Sequence, residues 1–528
     1  MRYLGSSRKI KAKEAAASPA ELIAQPLSAS ITENLDTLKK LLQGCSDAVL
    51  KEFRFGPAPT TGYLIYFDGL ADRKEIEDNL LRTLLLELNM IPKDGTALLE
   101  GPEMFASLQN RILTLAELKS LESIEEVCHH IASGDCVILI DGWSKGLVAG
   151  TRSWEGRKVA SPENEIVIFG PKEGFTETIR FNTALLRRRL KSTSFKIESM
   201  VLGRISKTDV VVCYIENIAP PGLVEEVKKR LSKIDIDAVL DTGYISEIIA
   251  DNRWTIFNQM EYTEKPDRVC GSLLEGRLAI MVDGSPMVLV LPISFPQYIV
   301  SPEDYYLHFI PASLYRLLRL VAFMMALTLP SLYVAIITYH HEMIPTPLLL
   351  TIAATRQGVP FPAFVEALIL DLTFELLREA GLRLPRAVGP AVSIVGALII
   401  GDAAVRAGLV STPMVVIIAF TGIASFVTPS YNAGTVIRIA RFGFLFAAGA
   451  LGFLGITIAL ILMGLRMVSL TSFGMPYMAP IAPFNLQQMG DIIIRRPWFK
   501  NRERPFIEGM KNQVRQSVPS EDGGVKKQ

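Results

Sequence analysis

Cysteine is scarce in this 528-residue chain. The five, Cys45, Cys128, Cys136, Cys213 and Cys270, are odd in number, lack any CxxC spacing and all precede residue 300. That pattern excludes a disulfide framework and a paired-thiolate metal site, and it reads as reduced thiols in a cytosolic region. An excess of either charge is missing too, since 55 Lys and Arg oppose 54 Asp and Glu. A nucleic-acid partner therefore has no electrostatic basis over the whole chain. The N-terminal stretch MRYLGSSRKIKAKEAAAS is basic but has no apolar core. It is not a secretory signal, so the front of the chain is expected to stay on the side of synthesis. Before Leu317 there is also no apolar run of the roughly 20 residues that a helix needs to cross a bilayer.

After that point such runs are present. Leu317 to Tyr339, Val388 to Leu409 and Phe442 to Leu465 are long enough, and Met414 to Val427 is a shorter fourth. The expected fold class is an α/β soluble N-terminal region of two subdomains plus a polytopic α-helical membrane domain. The expected boundaries are a mobile tail over 1–40, cytosolic α/β subdomains over 41–150 and 151–300, a multi-span membrane domain over 301–470 and a C-terminal cytosolic tail over 471–528.

The soluble part alternates helical and strand patterns. TGYLIYF at Thr61 to Phe67, DCVILID at Asp135 to Asp141 and Thr208 to Ile215 read as buried strands, and Asp283-Gly284-Ser285 as a hairpin turn. The turn Gly170-Pro171-Lys172-Glu173-Gly174 lacks the GK[ST] ending of a phosphate cradle. Arg187, Arg188 and Arg189 close a helix whose C-terminal dipole favours them. Two readings stand for them, a solvated end and a surface for an acidic partner or the inner membrane face. Cys128, His129 and His130 are neighbours that point in different directions on a helix, so no metal is expected there. No nucleophile stands beside a base. The expectation is no enzyme, no catalytic residue, no cofactor and no metal.

In the apolar part, Tyr305, Tyr306 and Tyr315 with Arg316 and Arg319 look like the interfacial frame of a first span, which Pro330 would kink. Gly358-Val359-Pro360-Phe361-Pro362 breaks the next segment. In the helix that follows, Asp371, Glu375 and Glu379 recur every fourth residue, on a face expected to meet water or headgroups. Glu366 falls on the opposite, apolar side, where a carboxylate must be paired, protonated or beside water. It is a candidate for an ion path or gate, against a structural salt bridge. Asp402 and Arg406 are one turn apart, either a self-neutralised pair or pore-lining groups. Gly389, Ser393, Ala397 and Gly401 form a small-residue stripe for close helix packing, and Gly449, Gly452 and Gly455 offer another. The basic tail (Arg495, Arg496, Lys500, Arg502, Arg504) favours a cytosolic C-terminus. With a cytosolic front this requires an even number of crossings. Four are preferred, with the Pro-broken segment re-entrant, although Arg383, Arg386, Arg438 and Arg441 then fall outside. Five crossings reverse the conflict.

YHHEMIPTPLLLTIAATRQGVPFP from Tyr339 and FELLREAGLRLPRAVGPAVSIVGALIIGDAAVRAGLVS up to Ser411 resemble the A subunit of spore-germination receptors, the GerA family. GPKEGFTE at Gly170, TEKPD at Thr263, LLEGRLAIMVDGSP at Leu273 and EDYY at Glu303 agree, so the resemblance covers roughly residues 40 to 500. It implies a multi-pass protein of the inner membrane of the bacterial spore. It also implies partners: a transporter-like B subunit that binds the nutrient, a lipoprotein C subunit and further copies of this chain. Together they would form a nutrient-gated ion channel that starts germination. The alternative is a secondary transporter that moves a nutrient or ion, for which the VPFP-broken helix is suggestive.

Overall fold

The computed structural model describes residues 22–55, 60–82, 85, 118–151, 162, 165, 167–383, 401–505 and 507–516. Gly389, Ser393 and Ala397 of the small-residue stripe lie outside them.

Among the described residues before 300 lie two five-stranded antiparallel sheets. The first orders β1 (Ala48–Phe55), β2 (Thr60–Phe67), β4 (Cys136–Ile140), β5 (Gly146–Ala149) and β3 (Leu118–Leu121) across the sheet. The second orders β6 (Phe195–Leu202), β7 (Thr208–Ile215), β9 (Leu278–Val282), β10 (Val288–Leu291) and β8 (Glu261–Thr263). The two orders are the same. Helices α1 (Ile31–Leu41) and α2 (Ile124–Ala132) cover one face of the first sheet. Helices α3 (Ile179–Arg189) and α6 (Pro266–Leu274) hold the equivalent places on the second, and α4 (Pro221–Leu231) and α5 (Thr242–Ile249) cover its other face. Both faces of each sheet are covered, so the strand CVILI of β4 is buried at all five positions instead of alternating.

The likeness of the two units extends to single hydrogen bonds. Asn34 in α1 accepts from the Ser28 N–H and donates back to its carbonyl, and Asn182 in α3 does the same with Thr176. The N–H of Ile31 reaches Asp141 Oδ1 at 3.2 Å, and that of Ile179 reaches Asp283 Oδ1 at 3.0 Å. In each case the helix start is tied to the Asp-Gly turn between the third and fourth strands across the sheet, which satisfies an N–H that a helix leaves without a partner. Residues 22–41 are therefore not part of a mobile tail. Leu27, Ile31, Leu35, Leu38 and Leu41 are core, because α1 is the helix on which the first sheet closes.

The two units are stapled by Arg187. Its guanidinium is buried, donates to both oxygens of Asp47 at 2.7 and 2.8 Å, and lies 3.9 Å over the Phe67 ring. Arg188 and Arg189 clasp Glu173. The arginine triplet is thus neither a solvated end nor an open acidic-partner surface.

The longer helices that follow among the described residues are α7 (Phe309–Tyr339), α8 (Thr346–Arg356), α9 (Ala363–Arg383), α10 (Thr412–Phe426) and α11 (Tyr431–Ser469). By length and composition two are long and apolar enough to cross a membrane, Phe309–Tyr339 and Asn432–Ser469. The second is broken at Gly452, whose φ of 60° and ψ of −136° suit only glycine. The chain turns back there. Ala433 of the first arm shares an apolar cluster with Met467 and Leu470 of the second, and a Cβ on Gly455 would collide with the Ala447 carbonyl. The run Phe442 to Leu465, expected as one span, is therefore two antiparallel arms.

The C-terminal stretch is not a free tail either. Ser472 Oγ donates to the Gln259 carbonyl at 2.6 Å, and Ile507 and Met510 enter the apolar cluster of the second sheet. Arg515 reaches Glu275 at 3.0 Å. Burial alone would raise the Glu275 carboxyl, but Arg277 and Arg515 outweigh it and hold the group below the usual range.

Candidate functional site

Glu366 sits in the first turn of α9, where the helix dipole favours a carboxylate. Its side chain is fully buried. Arg356, from the last turn of α8, lies 2.9 Å from Oε1. Ser411, the residue that precedes α10, donates to Oε2 from its N–H at 2.9 Å and from its hydroxyl at 2.8 Å. Three segments distant in sequence thus meet at one carboxylate. The Pro-rich break at residues 358–362 makes this possible, because it turns α8 away from α9 and lets an arginine fold back onto a glutamate ten residues later.

Two turns further along α9 is a second charged cluster. Asp371 and Arg441 are both fully buried and 2.7 Å apart. Glu375 accepts from Arg441 at 2.9 Å, and Arg438 and Arg378 lie 3.4 and 3.6 Å from it. Arg378 also donates to Ser425 at the end of α10. The face carrying Asp371 and Glu375, expected to meet water or headgroups, instead packs against α11, whose arginines neutralise it. Arg438 and Arg441, three residues apart in an apolar helix, are the signal by which sequence reasoning could have found this pairing.

At the other end of α7, Tyr339 donates its hydroxyl toward the Gly449 and Ala450 carbonyls at 2.8 and 2.9 Å. The Phe453 N–H faces His340 Nε2 at 3.5 Å. These two side chains cap the backbone groups released by the break at Gly452. Gly449 packs against the Phe364 ring so closely that a Cβ would overlap it.

The start of α7 is braced by the front and the back of the chain together. Asp304, fully buried, accepts from Arg316 at 2.9 Å and from Arg319 at 2.8 Å, and Asp491 lies 3.3 Å from Arg316. Tyr305 donates to Asp491 and Tyr306 to Asp267. The expected interfacial frame of tyrosines and arginines is thus a protein joint, buried at Arg316 and Asp304, with Tyr305 half-buried and Tyr306 exposed at its edge.

Asp402 and Arg406 pair with each other at 2.9 Å, their side chains 55% and 79% exposed. Among the described residues no ion pair joins them to Glu366. Among the described residues Val415 is the one near Gly401, at ordinary contact distance. All five cysteines are free and buried, and no cluster of metal-ligating side chains occurs among the described residues.

Comparison with known proteins adds the following. Residues 36–507 match the family model of the Bacillus/Clostridium GerA spore germination protein. The chain is 42% identical to the uncharacterized membrane protein YfkQ of Bacillus subtilis (strain 168), covering 95% of this chain and 96% of that one. It is 41% identical to spore germination protein KA of the same organism, over 93% and 89% of the two chains. Spore germination protein GerLA of Bacillus cereus is 37% identical over 91% and 96%. A crystal structure of the N-terminal domain of the A subunit of the Bacillus megaterium spore germinant receptor GerK3 is 32% identical, covering 52% of this chain and 99% of that one, with a TM-score of 0.41. On the extent of the family match and of these relatives, the chain belongs to the GerA family of spore germination proteins.

Proposed function

We propose that this chain is the A-type subunit of a nutrient-responsive germinant receptor in the inner membrane of the spore. It acts with a B subunit and a C-subunit lipoprotein and assembles with copies of itself into a gated ion channel. The sheet units and the C-terminal stretch lie together in the cytosol. The observation that carries the gating reading is Glu366. A buried carboxylate held by one arginine and one serine, each from a different segment, can exchange partners when those segments move. That is what a two-state gate requires.

Among the described residues the contacts favour five passes: α7 leads out, α9 returns, α10 runs inward from Ser411 and the two arms of α11 go out and back. Arg383, Arg438 and Arg441 then share the inner side with the tail, as the distribution of basic residues asks.

The deciding experiment is ion flux through liposomes that carry the assembled receptor, with and without the nutrient. Nutrient-dependent flux that Glu366→Gln abolishes or makes constitutive supports the reading. An assembled receptor that passes no ions overturns the channel. The breaks at Gly452 and at residues 358–362 favour a second reading, a secondary transporter. Uptake of labelled nutrient by this subunit alone would establish that instead.

A further inference from the structure

A groove of about 530 Å³ runs between the two arms of α11 on the side away from α7, and the loop Trp254–Phe257 of the second sheet unit closes its inner end. Small residues leave the space: Ala440, Gly443 and Ala447 on one arm, Gly455 and Ala459 on the other. Leu451 and Leu462 on its rim are 51% and 60% exposed, so it opens outward from the bundle. We propose that this groove binds one acyl chain of an anionic phospholipid of the inner leaflet, whose headgroup rests on Arg466 beside Trp254. The inference rests on the membrane reading given above and adds a ligand to it.

Three observations select this occupant. The first is length. From Arg466 to Gly455 is eleven residues, or roughly 16 Å of helix. That matches one leaflet, half of a hydrocarbon core about 30 Å thick.

The second is the position of Trp254. Its indole is 96% exposed although the loop beneath it is fixed. Phe257 is buried against Ala433, Met467 and Tyr477, and Asp251 is held by Arg230 and Thr471. A fixed loop that holds a bare tryptophan beside the inner ends of two apolar helices has the form of an interfacial anchor.

The third is charge. Arg466 is exposed at the inner end of the groove and no carboxylate pairs with it among the described residues. Its stem can lie along the apolar wall while the guanidinium meets a phosphate.

The test uses the full chain with Trp143→Phe, Trp154→Phe and Trp498→Phe, which leaves Trp254 as the one fluorophore. It is placed in phosphatidylcholine vesicles that contain phosphatidylglycerol, with bromine on the acyl chains of one lipid or the other. Brominated phosphatidylglycerol should quench Trp254 about fivefold more effectively per mole than brominated phosphatidylcholine, the factor one basic residue supplies near an anionic surface. Arg466→Gln should remove the preference. Gly443→Leu should lower quenching by both lipids, since a Cβ there has no neighbour within 4 Å and the side chain grows into the groove.

Equal quenching by the two lipids overturns the site. Disulfide crosslinking of Leu462→Cys between copies also overturns it, because a second chain then fills the groove. If neither lipid quenches while an alkaline wash leaves the protein in the vesicles, the site fails and the membrane reading stands. Release by that wash overturns the membrane reading itself.

Discussion

Ser411 donates twice to a single oxygen of Glu366. Its N–H and its hydroxyl reach Oε2 at 2.9 and 2.8 Å, which leaves Oε1 to Arg356. The carboxylate is therefore divided between a neutral anchor and a charged one. The neutral anchor would survive loss of the charge, and the charged one would not.

Glu366→Gln should keep the Ser411 contacts through its amide oxygen and strand Arg356, whose side chain is 17% exposed. Removing one partner of a buried pair costs about 3–5 kcal/mol. Arg356→Gln added to Glu366→Gln should recover part of that loss. A thermal-melt double-mutant cycle in detergent measures the recovery. Strict additivity would mean that the two do not interact.

Asp371→Asn should be far more damaging than Asp402→Asn. The first leaves Arg441 buried with one carboxylate fewer, again a loss of several kcal/mol or roughly 3–5. The second breaks an exposed pair one turn apart, worth about 0.5 kcal/mol or less. Melting points of the two variants side by side check the ranking, and a larger loss at Asp402 would contradict the placement of both.

Gly452→Ala should disturb the turn between the arms. Any side chain there would be forced into a backbone region natural only to glycine, at about 1–3 kcal/mol, and its Cβ would sit 3.0 Å from the Tyr339 side chain. Tyr339→Phe should weaken the same turn by about 0.5–1.5 kcal/mol, by removing the hydroxyl that bonds the Gly449 and Ala450 carbonyls at an exposed position. Melting points of the two variants in detergent, set beside the parent, check both losses, and an unchanged melting point for Gly452→Ala would contradict the turn.

Docking of the C-terminal stretch should depend on pH through Glu275. Its carboxyl is held below the usual range by Arg277 and Arg515. A lowered native value stabilises above the unfolded value of about 4.3, and that stability is lost as pH falls through the native one. The melting difference between the parent and Glu275→Gln should be constant from pH 7 to 5 and shrink below. A difference that grows on acidification would reverse the sign and exclude the pairing.

The cysteines should resist alkylation in the folded protein. Burial pushes the Cys128 and Cys270 thiols up to about 12, so almost no thiolate exists at pH 8. Reaction at all five should appear only on denaturation, counted by mass.

Much of the chain was legible because local rules decide it. Buried strands such as residues 136–140 declare themselves by continuous apolar runs, and the apolar block by its composition. A carboxylate at position 366, off the acidic face of its helix, already had to be paired, protonated or wet. The duplication of the sheet units was not read from sequence: Ile31-x-x-Asn34 against Ile179-x-x-Asn182 and Asp141-Gly142 against Asp283-Gly284 are too short to stand out, and they emerge only when the equivalent hydrogen bonds are set side by side.

Sequence by itself determined which stretches are apolar enough for lipid and that the chain is a GerA-type protein. It could not supply partners. Arg356, Arg441 and Ser411 are ordinary residues until folding brings them to Glu366 and Asp371, because a charge is neutralised by what is near in space, and spacing along a helix reports only neighbours on the same helix. The turn at Gly452 escaped for a related reason. Glycine is permitted both inside a helix and at a reversal, and only the packing of one arm on the other decides between them.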